Sequence, residues 1–220
     1  MQFLSTLIIS LIQGITRYTS SHGASIIIFA ALLKLLLLPV SFYGMRWQER
    51  FKQSMKKSKE ETAAIQTCNA AQRDEQILAI YQANGVNFIN QCKALLPLLI
   101  QLPLLIAFYR AAIRWEVLAE TSFLWISDLS KPDSLFTFGL TLPWLGSAFN
   151  VLPFMLFAVN ASEVVLFRDA TTNIKSFTLP VIFFFLFYPF PASCMLFWVT
   201  LNVLHVPERY YFHKRLSSLP

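Results

Sequence analysis

Long apolar runs alternate with polar stretches along this 220-residue chain, and the runs are of membrane-spanning length. Met1 to Ile15 is apolar with Ser, Thr and Gln interspersed. It lacks a basic leading region and a small-residue cleavage site, so it reads not as a signal peptide but as an interfacial helix lying flat, with a turn by residue 22, or else as a short spanning helix. Residues 23–45, GASIIIFAALLKLLLLPVSFYGM, form the first predicted span. One charge, Lys34, stands near its middle. At about 1.5 Å per residue its backbone is roughly 16 Å from either end, further than a lysine stem can snorkel. A cation there costs on the order of 3 kcal/mol on insertion scales, so a wet or polar interior is the simplest place for it.

Residues 46–93 differ in kind. They hold Arg46, Arg50, Lys52, Lys56, Lys57, Lys59, Arg73 and Lys93 among five acidic residues, in a background rich in Ala, Gln, Glu and Lys. That composition predicts a solvated hairpin of two helices, about Arg46 to Gln66 and Ala71 to Ala83, with Asn69 near the turn. Residues 94–113 are a second span carrying Pro97, Gln101 and Pro103. Residues 114–150 read as an external loop, with 135–150 a re-entrant or interfacial segment broken by Gly139, Pro143 and Gly146. A third span covers 151–167, a short loop 168–176, a fourth span and its turn 177–190, a fifth span 191–206 and a tail 207–220. Trp115, Trp125 and Trp144 are placed at the outer interface.

Composition and charge agree with this pattern. Hydrophobic residues make up 55% of the chain, so its +6 charge does not by itself mean nucleic acid. The predicted inner loops and tail hold thirteen Lys and Arg, which puts the N-terminus outside and the C-terminus in the cytoplasm. Three cysteines in no CxxC and three scattered histidines suggest neither a disulfide framework nor a metal site. The fold class expected is therefore an all-α integral membrane protein of five transmembrane helices with an N-terminal interfacial helix and a cytoplasmic helical hairpin; that the five surround a hydrophilic groove is what a family resemblance implies.

The order of elements resembles a known family. LLPLLIQLPLLIAFYRA (95–111) resembles the second core helix of the YidC/Oxa/Alb membrane-protein insertases. FLWISDLSKPD (123–133) is similar to the loop that follows there, LPWLGSAFNVLPFM (142–155) to the next loop and helix, and LPVIFFFLFYPFPASCMLFWVTLNVL (179–204) to the last helical pair. The resemblance implies a groove open to the cytoplasm and to lipid, which moves short polar tails of nascent membrane proteins across the bilayer and releases their apolar segments into lipid. It implies no enzymatic chemistry and no cofactor. Nascent membrane proteins and the lipid bilayer would be its partners, with the Sec translocon and the ribosome as further candidates, at the bacterial inner membrane. The family's groove arginine falls at Lys34, and a residue usually Gln is Glu163 here.

Candidate groove residues are Lys34, Gln101, Asn160, Glu163, Ser193, Thr200 and Asn202. Asn160 and Glu163 share a helical face, as do Ser193 and Thr200. Glu163 is read as a partner for Lys34 across the groove, or else as a glutamate reaching the cytoplasmic interface. Gln101 could instead hold the bundle by a hydrogen bond between helices, and the hydroxyls could bond their own backbone. Arg46, Arg50, Lys52, Lys56, Lys57, Lys59 and Arg73 of the hairpin are candidates for capture of nascent chains, or simply a solvated face near anionic lipid. The rival function is a small transporter or channel that uses the buried Lys34.

Overall fold

The computed structural model describes residues 2–65, 70–94, 96–143, 145–168 and 174–217. Gln66, Asn69 and Trp144, each singled out above, lie outside them. The chain divides into two units, Met1–Leu36 with Pro103–Pro220, and Leu37–Leu102.

Helix α1 (Gln2–Thr19) buries Ser5, Ile8 and Ile12, a spacing of three and four residues that lines one face. It is tied to α2 (His22–Ala63) by hydroxyls: Thr16 Oγ1 donates to Ser25 Oγ at 2.9 Å, and Thr19 Oγ1 lies 2.7 Å from the same atom. The apolar stretch and the basic stretch expected as separate helices form one helix of 42 residues, which continues through Pro39 and Gly44. A proline costs one backbone bond, and good helix formers follow it on the polar side. By length and composition α2 is the one helix among the described residues that could cross a membrane. Leu99–Ala112, Val151–Leu166 and Thr178–Phe187 are shorter apolar helices.

The second unit takes the rest of α2, helix α3 (Ala70–Ala83), helix α4 (Phe88–Ala94) and the start of α5 (Leu96–Ala112). Gly85, with φ of 77°, makes the turn between α3 and α4. Lys56–Glu60 and Lys57–Glu61 are exposed pairs one turn apart, and Asn84 Nδ2 donates to Glu61 Oε2, joining α2 to the end of α3. Lys93 lies 4.6 Å from the ring centre of Trp47 and Arg50 5.6 Å from it.

In the first unit α5 leads into a loop and then a two-stranded antiparallel sheet, β1 (Ser134–Leu142) with β2 (Gly146–Asn150). This corrects the loop expected at 135–150. Ser134 pairs with Asn150, Phe136 with Phe149 and Thr137 with Ala148. Helices α6 (Val151–Leu166), α7 (Thr178–Phe187) and α8 (Ala192–Ser217) follow, and α6 packs on both others. Rings join them. Phe136 stacks on Phe149 at 5.1 Å, Phe149 on Phe154 at 4.8 Å, and Phe154 meets Phe184 edge-on at 4.7 Å. Deeper in, Phe197 of α8 lies between Phe108 of α5 at 4.4 Å and Phe29 of α2 at 6.0 Å.

The loop before β1 caps two helices. Leu129 and Lys131 offer their carbonyls to the backbone N–H groups of Ser193 and Ala192, at the start of α8. Asp133, 1% exposed, accepts the N–H groups of Val151 and Leu152 at 2.9 and 2.8 Å, at the start of α6, and Trp125 Nε1 at 3.1 Å, all on Oδ2. Burial pushes the Asp133 carboxyl above the usual range, and these three donors oppose that rise. At Asp128 burial acts the same way but is outweighed. The Ser130 hydroxyl and N–H and the Lys131 ammonium hold it down to about 2.

Trp115 is buried and meets His22 edge-on at 5.5 Å, and Trp125 is engaged by Asp133, so both indoles are packed within the fold. A similar closeness explains Gly23. A Cβ there would enter the ring of Phe123. Gly23→Ala is therefore expected to cost about 1–3 kcal/mol of stability, the usual penalty of overpacking. Thermal unfolding in detergent measures it, with Phe123→Leu in the same chain recovering part of the loss. An unchanged midpoint in Gly23→Ala would refute the close approach.

Candidate functional site

Lys34 stands in the apolar part of α2, and α8 supplies what faces it. His205 and Glu208 are three residues apart and share a helical face. Lys34 Nζ lies 2.6 Å from Glu208 Oε2 and 3.2 Å from His205 Nδ1, and the latter is 3.1 Å from Glu208 Oε2. The lysine side chain is 14% exposed and the glutamate side chain 3%. The ammonium can donate to both the carboxylate and a neutral imidazole. A ring protonated at Nδ1 donates to the carboxylate instead. In either arrangement Glu208 holds the centre of the cluster.

Next along α8, Arg209 Nη1 lies 3.4 Å from Glu163 Oε2 on α6 and its guanidinium is 4.5 Å from the ring centre of Phe167. Of the two readings of Glu163, pairing with Lys34 is not the one found: each has a different partner, and both partners come from α8. Glu163 Oε1 is buried without a hydrogen-bond partner among the described residues. Asn160 donates from Nδ2 to Leu156 O at 2.8 Å, Asn202 to Trp198 O at 2.8 Å, and Thr200 from its hydroxyl to Leu196 O at 2.7 Å. These three half-buried residues thus satisfy their own helices with their donors and keep oxygen lone pairs for other contacts. Ser193 is fully buried at the head of α8, beside the loop that caps it, so it belongs to the packed interior rather than to a groove lining. Gln101 is half-buried in the second unit. Of the hairpin cations, Arg46, Arg50, Lys56, Lys57, Lys59 and Arg73 are exposed and Lys52 is half-buried.

Among the described residues no group of three or more His, Cys, Asp and Glu is placed to hold a metal ion. What the cluster can do is hold charge inside an apolar bundle by internal pairing. Two ion pairs, Lys34 with Glu208 and Arg209 with Glu163, do this with α8 supplying one member of each.

Residues 14–218 match the family described as 60Kd inner membrane protein. The chain belongs to this family. It is the family of the YidC/Oxa/Alb insertases, as the residues of the second core helix and the last helical pair suggested. The chain is 29% identical to the membrane protein insertase YidC of Pelodictyon phaeoclathratiforme over 224 residues, 98% of this chain and 37% of that protein. Its identity to the YidC of Chlorobaculum tepidum is 28% over 220 residues, with the same coverage. It therefore spans a little over a third of the curated relatives it matches. A crystal structure of active YidC insertase, with its first transmembrane domain resolved, overlays with a TM-score of 0.65 at 24% identity, covering 95% of this chain and 46% of that one. That likeness establishes the insertase fold for this family member.

Sequence reasoning about this family member missed His205, Glu208 and Arg209. They fall at the junction of the expected fifth span, ending at Val206, and the tail that begins at Pro207, whereas the structure carries one helix through all three. The available signal was spacing: residues 205, 208 and 209 fall on one face of any helix that runs through the proline.

Proposed function

We propose that this protein is a membrane protein insertase of the bacterial inner membrane. It moves short polar tails of nascent membrane proteins across the bilayer and releases their apolar segments into lipid, without hydrolysis and without a cofactor. The observation that carries this reading is a sheltered cation, Lys34, held among the apolar helices α2 and α8 of a chain that belongs to an insertase family.

The costly step of insertion is taking a polar tail through hydrocarbon, where each unsatisfied polar group costs several kcal/mol. A hydrated groove open to the cytoplasm shortens that dry path. Lys34 attracts acidic groups of the tail, while Asn160, Thr200 and Asn202 offer oxygens to its backbone N–H groups. The apolar segment then moves sideways into lipid, where its burial is favourable. The basic helices of residues 46–93, on the cytoplasmic side, meet nascent chains first, with the N-terminus of the protein outside and its C-terminus inside. The Sec translocon and the ribosome are candidate partners in this process.

The test is insertion in cells depleted of their own insertase, using one single-span substrate with aspartates in its translocated tail and a twin with asparagines there. Lys34→Arg is expected to insert both like the wild type. Lys34→Ala is expected to lower the acidic-to-neutral ratio roughly fivefold, the factor that about 1 kcal/mol of lost attraction sets. A wild-type protein that inserts neither substrate would sink the insertase reading, and an unchanged ratio in Lys34→Ala would remove the cation from the mechanism.

A further inference from the structure

An insertase cation should be open to its substrate, yet Lys34 is already engaged. Its nearest partner is a carboxylate from the same chain at 2.6 Å, the chemical group that an acidic tail would bring. The geometry points to Glu208 as an internal stand-in for the substrate: it occupies Lys34 in the resting protein and must be displaced by a carboxylate of the incoming tail. Glu208 and its neighbour His205 thereby set how acidic a tail must be before it is held. This rests on the insertase reading and assigns specificity within the same site.

Three features fit an exchangeable partner. First, exposure is graded, with Lys34 at 14% and Glu208 at 3%, so a newcomer reaches the ammonium before the carboxylate. Second, Glu208 directly follows Pro207 inside α8. Proline brings no N–H, so the carbonyl one turn earlier, at Val203, receives no bond from it, and the helix is loosened where Glu208 must move. Third, the displaced carboxylate has another nitrogen within reach. His205 Nδ1 is 3.1 Å from Oε2, so Glu208 can keep a hydrogen bond while Lys34 turns to the tail. The tail adds one negative charge to the site, and the displaced Glu208 is left to the His205 hydrogen bond alone, so a tail is held only if its carboxylate competes well enough to carry that cost.

The experiment uses the same pair of substrates, with tails of aspartates or asparagines, and the full chain. Glu208→Gln keeps the shape and an acceptor oxygen but not the charge. It is expected to raise the acidic-to-neutral ratio roughly fivefold, since the internal competitor is gone. Lys34→Gln with Glu208→Gln removes both charges and is expected to bring the ratio to the wild-type value or below. Thermal unfolding in detergent reports that each variant has folded. A ratio unchanged or lowered in Glu208→Gln overturns the stand-in role while leaving the insertase reading intact. So does a double variant that retains the fivefold gain. A wild type that inserts neither tail overturns the insertase reading instead, and this assignment falls with it.

Discussion

Lys34→Glu is expected to destabilise the protein by about 3–5 kcal/mol, the cost of breaking a buried pair and leaving its partner uncompensated. The substitution does more than delete an attraction. It sets a second carboxylate beside Glu208, whose side chain is 3% exposed and cannot escape to water without moving its helix. Thermal unfolding in detergent gives the loss. The charge-reversed pair, Lys34→Glu with Glu208→Lys, places opposite signs back across the same gap and is expected to recover most of it. Recovery separates a charge effect from a packing effect, because the double variant alters two side chains where the single alters one and would be the worse of the two if packing alone decided. If Lys34→Glu unfolds at the wild-type midpoint, the two groups are not in contact in the folded protein.

Asp133→Ala is expected to cost about 3 kcal/mol. One oxygen accepts two N–H groups at the head of α6 and the indole of Trp125, and alanine strands all three in a buried place. Asp133→Asn should lose much less, since its amide oxygen can take the same donors. The pKa direction supports that order. Burial raises the Asp133 carboxyl above its unfolded value, so the protonated form is favoured by the fold. That contribution is full below the unfolded pKa and is lost as pH rises through the folded one. At neutral pH the ionised group carries a desolvation cost that asparagine avoids. Equal losses for Ala and Asn, measured by the same unfolding assay, would show that the charge itself and not the acceptor oxygen holds α6 in place.

Much of the architecture was legible because long apolar runs leave little choice of structure. The helices α5, α6 and α7 lie where such runs lie. The basic stretch is helical because Ala, Gln, Glu and Lys favour helix over any alternative there. Lys34 stood out for a physical reason as well, since a lone cation in an apolar run demands a partner. The identity of the partner was hidden by distance along the chain. Glu208 is brought to it only by the packing of α8, and a boundary drawn between span and tail at Pro207 split the helical face that carries it. The hairpin was missed for a different reason. Gly139, Pro143 and Gly146 were read as breaks, although Phe136, Thr137 and Phe138 alternate with the period of a strand and favour one intrinsically. Gly146, with φ of 69°, supplies the turn's conformation.

The two opposed pairs, Lys34 with Glu208 and Arg209 with Glu163, also determine how far the site can be felt. A single cation in a cleft projects its potential outward and gathers counter-ions from solution. Two small dipoles do not, because their fields fall off more steeply than that of a lone charge, and physiological salt damps what is left within about 8 Å. The site is therefore blind at long range. In the insertase proposed above, such a site would sense a carboxylate only on contact, and any gathering of chains from a distance would fall to the exposed cations of the basic helices, where charge is not cancelled one for one.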